Sequence, residues 1–121
     1  MTLLLVEDDP DIRLVARMAL TRAGFTVTVA ADGAEALAAV AGNRPEVILL
    51  DWMMPDVDGP EVCRRLKANP ASSGIPIIFL TARSQQAEIA RGLELGAAGY
   101  IVKPFNALTL GAEVRALLGR P

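Results

Sequence analysis

The chain has 121 residues, 52% of them apolar, and a formal net charge of −2 with the charges interspersed. That length suits one domain with one core, and the charge lacks the basic footprint of a nucleic-acid binder. There is no histidine, which excludes a histidine general base, histidine metal ligands and service as a phosphohistidine donor. Cys63 is the only cysteine, so an intrachain disulfide is excluded and a reducing, cytoplasmic compartment is expected. No apolar run is long enough to span a bilayer, and no segment reads as a signal peptide.

Five strands and five helices are expected in strict alternation. Leu3-Leu4-Leu5-Val6 marks a strand near 2–6. A helix near 10–23 follows, capped by Asp9 with Pro10 in its first turn. Its expected apolar stripe is Ile12, Val15, Ala16, Ala19, Leu20 and Ala23, and Gly24 suits a left-handed end. In the strand near 25–30, Phe25, Val27 and Val29 alternate with Thr26 and Thr28, the pattern of a half-exposed edge. Asp32 and Glu35 have capping-box spacing for a helix near 33–42. The strand near 46–51 is continuously apolar up to Asp51, which suits a strand covered on both faces. Cys63 is expected to fill core space beside Val62 and Leu66 on a helix near 60–68. A strand near 76–81 precedes a helix near 85–95 that Gly92 interrupts, the helix expected to move. A strand near 98–103 precedes a helix near 107–118, capped by Asn106, with Leu110, Val114, Leu117 and Leu118 inward.

Alternating strand–helix units imply a parallel sheet with right-handed crossovers. The half-exposed second strand belongs at an edge, and the continuously apolar first, third and fourth strands are central. This gives a doubly wound α/β sheet of order 2-1-3-4-5, with its switch point between strands one and three. Glu7, Asp8, Asp9 and Asp51 would meet at that crevice. The domain is expected to run over 1–118, with 119–121 a tail or the start of a linker.

Oxygen ligands suit a hard cation such as Mg²⁺ or Mn²⁺, which would relieve repulsion between converging carboxylates. Asp51 can act as a nucleophile toward phosphorus. Thr81 could donate its hydroxyl to a phosphoryl oxygen, and Lys103 supplies a compact positive charge for Asp51 or a phosphoryl group. Taken singly, Asp9 is a helix cap, Thr81 a strand end, Lys103 a surface charge, and Asp56 and Asp58 turn residues. Their arrangement at successive strand ends is much harder to obtain by chance. Neither type of glycine-rich nucleotide loop is present.

Several runs resemble the receiver domain of bacterial two-component response regulators. They are Val6-Glu7-Asp8-Asp9, Asp51-Trp52-Met53-Met54-Pro55 with Gly59, Thr81-Ala82, Gly96-Ala97, Tyr100 and Lys103-Pro104-Phe105. The resemblance covers essentially the whole chain. It implies a flavodoxin-like (βα)5 fold and a phosphorylation-controlled signalling switch rather than an enzyme. Asp51 would be the phosphoacceptor. Asp8, Asp51 and the Met53 backbone carbonyl would ligate Mg²⁺, with Glu7 acting through water. Thr81, Ala82 and Lys103 would bind the phosphoryl group, and Thr81 with Tyr100 would form the switch pair. Met53 and Arg83 would tune the acyl phosphate's lifetime, and Lys103-Pro104 would be cis. A histidine kinase or phosphotransfer protein would donate the phosphoryl group, and the chain would assist its own phosphorylation and dephosphorylation. An effector would read the face made by helix four, strand five and helix five. On that face Ala98, Gly99 and Thr109 replace charges usual in receivers joined to winged-helix domains, and Ile89 stands where a basic residue is common. The expectation is therefore a monomer or weak homodimer, with Ile89 an exposed apolar contact.

Two other functions fit parts of the pattern. Haloacid dehalogenase phosphatases also use an aspartyl nucleophile on an α/β sheet, but place it after their first strand and usually need a cap. A receiver-like interaction module that is never phosphorylated is the other, and the complete set of Glu7, Asp8, Asp51, Thr81 and Lys103 argues against it.

Overall fold

The computed structural model describes residues 1–82 and 86–119. The elements alternate along the chain: β1 (Thr2–Val6), α1 (Pro10–Arg22), β2 (Thr26–Ala30), α2 (Gly33–Gly42), β3 (Val47–Asp51), α3 (Gly59–Ala68), β4 (Ile77–Thr81), α4 (Gln86–Glu94), β5 (Gly99–Val102) and α5 (Leu110–Leu117). All strand pairs are parallel, in the order β2-β1-β3-β4-β5. This is the doubly wound, flavodoxin-like order expected from the sequence.

The continuous apolar runs of the central strands are explained by two cores, one on each face of the sheet. Leu4, Val6, Ile48, Leu50, Ile77 and Phe79 pack toward Ala36, Val40, Val62, Cys63 and Leu66 of α2 and α3. Their neighbours Leu3, Leu5, Val47, Leu49, Ile78 and Leu80 pack toward Ala16, Leu20, Leu110 and Val114 of α1 and α5. Cys63 is fully buried, as expected for a core filler, and its thiol faces the Leu95 carbonyl at 3.6 Å.

Local signals account for the starts of α1, α2 and α3 and for the end of α1. Asp9 Oδ1 accepts from the Asp11 and Ile12 amides, Asp32 from Glu35, and Asp58 from Glu61. Gly24 has a φ of 101°, the left-handed conformation expected after α1. Gly92 lies inside α4 because a Cβ there would stand 3.3 Å from both Phe79 Cδ2 and Trp52 Cζ3. The glycine lets the helix seat on that pair of rings.

Other expectations need correction. Helix α5 starts at Leu110 rather than near 107, and Asn106 does not cap it. The Asn106 side chain instead accepts from the Leu108 amide, closing a turn before the helix. Val15 belongs to the expected stripe of α1 yet is 48% exposed. In β2 the Val29 side chain is exposed, so only Phe25, Val27 and Ala30 face inward to any degree. Leu117 is partly exposed and leans on Gly99. The Lys103-Pro104 bond is cis, as expected.

Candidate functional site

The register of the sheet brings the expected residues to one edge. Val6 lies opposite Leu50, Asp51 opposite Leu80, and Thr81 opposite Val102. The groups that follow or end β1, β3, β4 and β5 therefore share one level above the sheet. The backbone ties them together: the Trp52 amide donates to Leu80 at 3.0 Å, and the Lys103 amide to Thr81 at 2.6 Å. Gly59 is packed against the Asp51 carbonyl and the Trp52 backbone, leaving no space for a Cβ, and its amide donates to the Trp52 carbonyl at 3.0 Å. This contact fixes the chain just after Asp51.

Glu7 and Asp51 are buried, and Asp8 is exposed above them. One carboxylate oxygen from each lies within 4.8 Å of the others. Lys103 Nζ bridges the two buried groups, 2.8 Å from Glu7 Oε2 and 3.1 Å from Asp51 Oδ1. Burial pushes the Asp51 carboxyl up from 3.8 to about 7, and the Glu7 charge and a hydrogen bond with Asp8 push the same way, while Lys103 opposes them. Burial disfavours the Lys103 ammonium, yet its hydrogen bond to Glu7 and the charges of Asp51 and Glu7 outweigh that and raise its pKa.

Among the described residues, three carboxylates face one ammonium, so negative charge exceeds positive there. Its donors are all oxygen, its outer wall is the solvent-open Asp8, and a hard divalent cation fits that set. Asp9 is a helix cap and stands apart from this cluster, as its cap hydrogen bonds require. Asp58 also caps a helix, and Asp56 takes a φ of 64° in the turn before it.

The remaining expected residues surround the cluster. Met53 is exposed and lines a groove with Asp8, Trp52 and Asp58. Ala82 lines a second groove with Lys103, Ile12 and Phe105. Thr81 is buried and Tyr100 is 40% exposed. The two border a void of about 10 Å³ together with Trp52, Phe79, Ile89 and Gly92, room for about one water. Ile89, expected to be exposed, is half-buried there, and Leu93 is the exposed apolar residue beside it. Arg83 lies outside the described residues.

Two contacts had no counterpart in the sequence reading. Arg13 Nη1 donates to the Glu7 carbonyl at 2.9 Å. Trp52 meets Phe79 edge-on, with ring centroids 4.7 Å apart. Only the position of Arg13 in the first turns of α1 hinted at the former, since helical side chains lean toward the N-terminus.

The family model of the response regulator receiver domain matches residues 3–115. The chain is 44% identical over 119 residues to the transcriptional regulatory protein AfsQ1 of Streptomyces coelicolor, covering 98% of this chain and 52% of that protein. It is 43% identical over 115 residues to the phosphate regulon transcriptional regulatory protein PhoB of Rhizobium meliloti, covering 95% and 51%. Among solved structures, chemotaxis protein CheY4 of Vibrio cholerae superposes with a TM-score of 0.90 at 34% identity, covering 96% and 97%. The chain thus spans about half the length of the curated relatives it matches. An aspartyl phosphatase of the dehalogenase type is set aside by these matches. The order of the sheet, the cluster at its switch point and the matched sequence agree: the chain belongs to the response regulator receiver domain family of two-component signalling.

Proposed function

We propose that Asp51 accepts a phosphoryl group from a phosphohistidine on a histidine kinase or phosphotransfer protein, and that the acyl phosphate switches the domain between two states. The observation that carries this is the Asp51 carboxyl, buried at a central strand end with Lys103 at 3.1 Å and two further carboxylates within 4.8 Å. An Asp51 oxygen attacks phosphorus, the phosphorus–nitrogen bond breaks, and the electron pair leaves with the imidazole. Lys103 balances charge on the transferred oxygens, Thr81 donates to one of them, and the small Ala82 leaves them space. The chain in this way assists its own phosphorylation and dephosphorylation.

Asp8, Asp51 and the Met53 carbonyl would hold Mg²⁺ or Mn²⁺, with Glu7 acting through water. The ion supplies the positive charge that the cluster lacks. Thr81 and Tyr100 form the switch pair, across the void beneath α4 that both border. Met53 and Arg83 tune the lifetime of the acyl phosphate. The receiver unit runs over 1–118, with 119–121 a tail or the start of a linker. It works in the cytoplasm, and it passes its state to an effector through the α4–β5–α5 face.

Intact-mass measurement after treatment with acetyl phosphate and Mg²⁺ tests this. One added phosphoryl group is expected in the wild type and none in Asp51→Asn. Equal labelling of both proteins overturns the assignment.

A further inference from the structure

The turn between β1 and α1 carries two of the three clustered carboxylates, and its backbone is held at several points. The Glu7 amide donates to Ala30, and Glu7 Oε1 accepts from the Asp9 amide at 3.2 Å. Asp9 is locked to the first turn of α1 by its side chain and by the Arg13 amide. Arg13 then reaches back along the helix and donates from Nη1 to the Glu7 carbonyl at 2.9 Å. That carbonyl belongs to the peptide group joining Glu7 to Asp8. The hydrogen bond therefore fixes the plane from which the exposed Asp8 side chain departs toward Asp51.

We propose that Arg13 is a positioning residue for the metal site, holding the Glu7–Asp8 peptide so that Asp8 aims at Asp51. It acts through its hydrogen bond to the backbone, the 2.9 Å contact from Nη1 to the Glu7 carbonyl. This rests on the reading of Glu7, Asp8 and Asp51 as the metal site. Groups that orient ligands from outside typically set metal affinity by ~10–100-fold. Arg13 holds backbone, with other ties remaining, so the lower end applies.

The test is Mg²⁺ titration followed by Trp52 fluorescence in the full chain. Arg13→Met should weaken Mg²⁺ binding ~10-fold. Arg13→Lys, which keeps a donor, should recover most of that loss. Arg17→Met removes a cation from the same helix and should leave affinity within twofold. At saturating Mg²⁺, phosphorylation of Arg13→Met by acetyl phosphate should return to the wild-type rate, a split that a generally damaged fold would not give. Wild-type affinity in Arg13→Met, no recovery in Arg13→Lys, or an equal loss in Arg17→Met overturns the proposal. Asp8→Ala separates the two readings: if it keeps the full Mg²⁺ response, the metal site itself is misplaced.

Discussion

Asp51 is an acid that its surroundings hold in the protonated form well above the usual carboxylate range. The consequence for stability has a definite sign. Below about pH 4, Asp51 is neutral in both the folded and unfolded chain. As pH rises toward 7, the unfolded chain releases the proton while the folded chain keeps it, so stability falls. Above about 7 the loss is complete. Asp51→Asn stays neutral throughout, so without divalent cations it should be more stable than the wild type at pH 8 by about 2–4 kcal/mol, one pKa unit being ~1.4 kcal/mol. The gain should vanish near pH 4. Denaturant unfolding in chelator at both pH values checks this, and an equal gain at both would point to packing instead of charge. The sequence displayed this residue clearly because Asp51 ends an apolar run, as do Glu7, Thr81 and Lys103 in their turn. Arg13 was hidden because an arginine on an amphipathic helix looks like any solvated charge. Its role depends on which carbonyl it can reach, and one-dimensional spacing does not carry that.

Helix α4 shows where an element obeys packing over propensity. Alanine is favoured over glycine in a helix by ~1 kcal/mol, so Gly92→Ala would stabilise α4 in isolation. In the protein the new methyl would press on Trp52 and on the buried Phe79, whose rings already meet edge-on. Overpacking of this kind costs ~1–3 kcal/mol, and Gly92→Ala should lower stability by about 1 kcal/mol and shift Trp52 emission. A stabilised variant with unchanged emission would mean that the seat has slack. The proposed switch pair, Thr81 and Tyr100, borders the same region. Thr81→Ala should still be phosphorylated, more slowly, but should lose the phosphorylation-linked change around Tyr100; NMR at Tyr100 decides, and a persisting change rejects the pair. Helix starts were legible where Asp9 and Asp32 accept the free amides, whereas Asp58, read as a turn residue, caps α3 in the same way. The start of α5 was misread because an asparagine side chain closes a turn as readily as it caps a helix, and Asn106 does the former.

For the molecule as a whole, the order of the sheet followed from which strands alternate and which stay apolar. The sequence pattern could not say what lies on the outer faces. The α4–β5–α5 face presents Leu93 and Tyr100, 52% and 40% exposed. Ala98, Gly99 and Thr109 bring no charge to it. The unphosphorylated chain should therefore sediment as a monomer or weak dimer. Association strengthened by a phosphoryl mimic should depend little on salt, since packing rather than ion pairs would carry it. Analytical ultracentrifugation across a salt series tests this, and a tight dimer that dissociates steeply with salt would contradict it.

Trp52 lines the groove beside Asp8 and also the small void beneath α4. It is the chain's only tryptophan. A single optical signal will therefore mix two events, metal arrival on one side of the indole and helix movement on the other. Gly92→Ala alters only the far side and Asp8→Ala only the near side, so spectra of the two variants give the basis set for resolving the wild-type signal into ligand occupancy and conformational state.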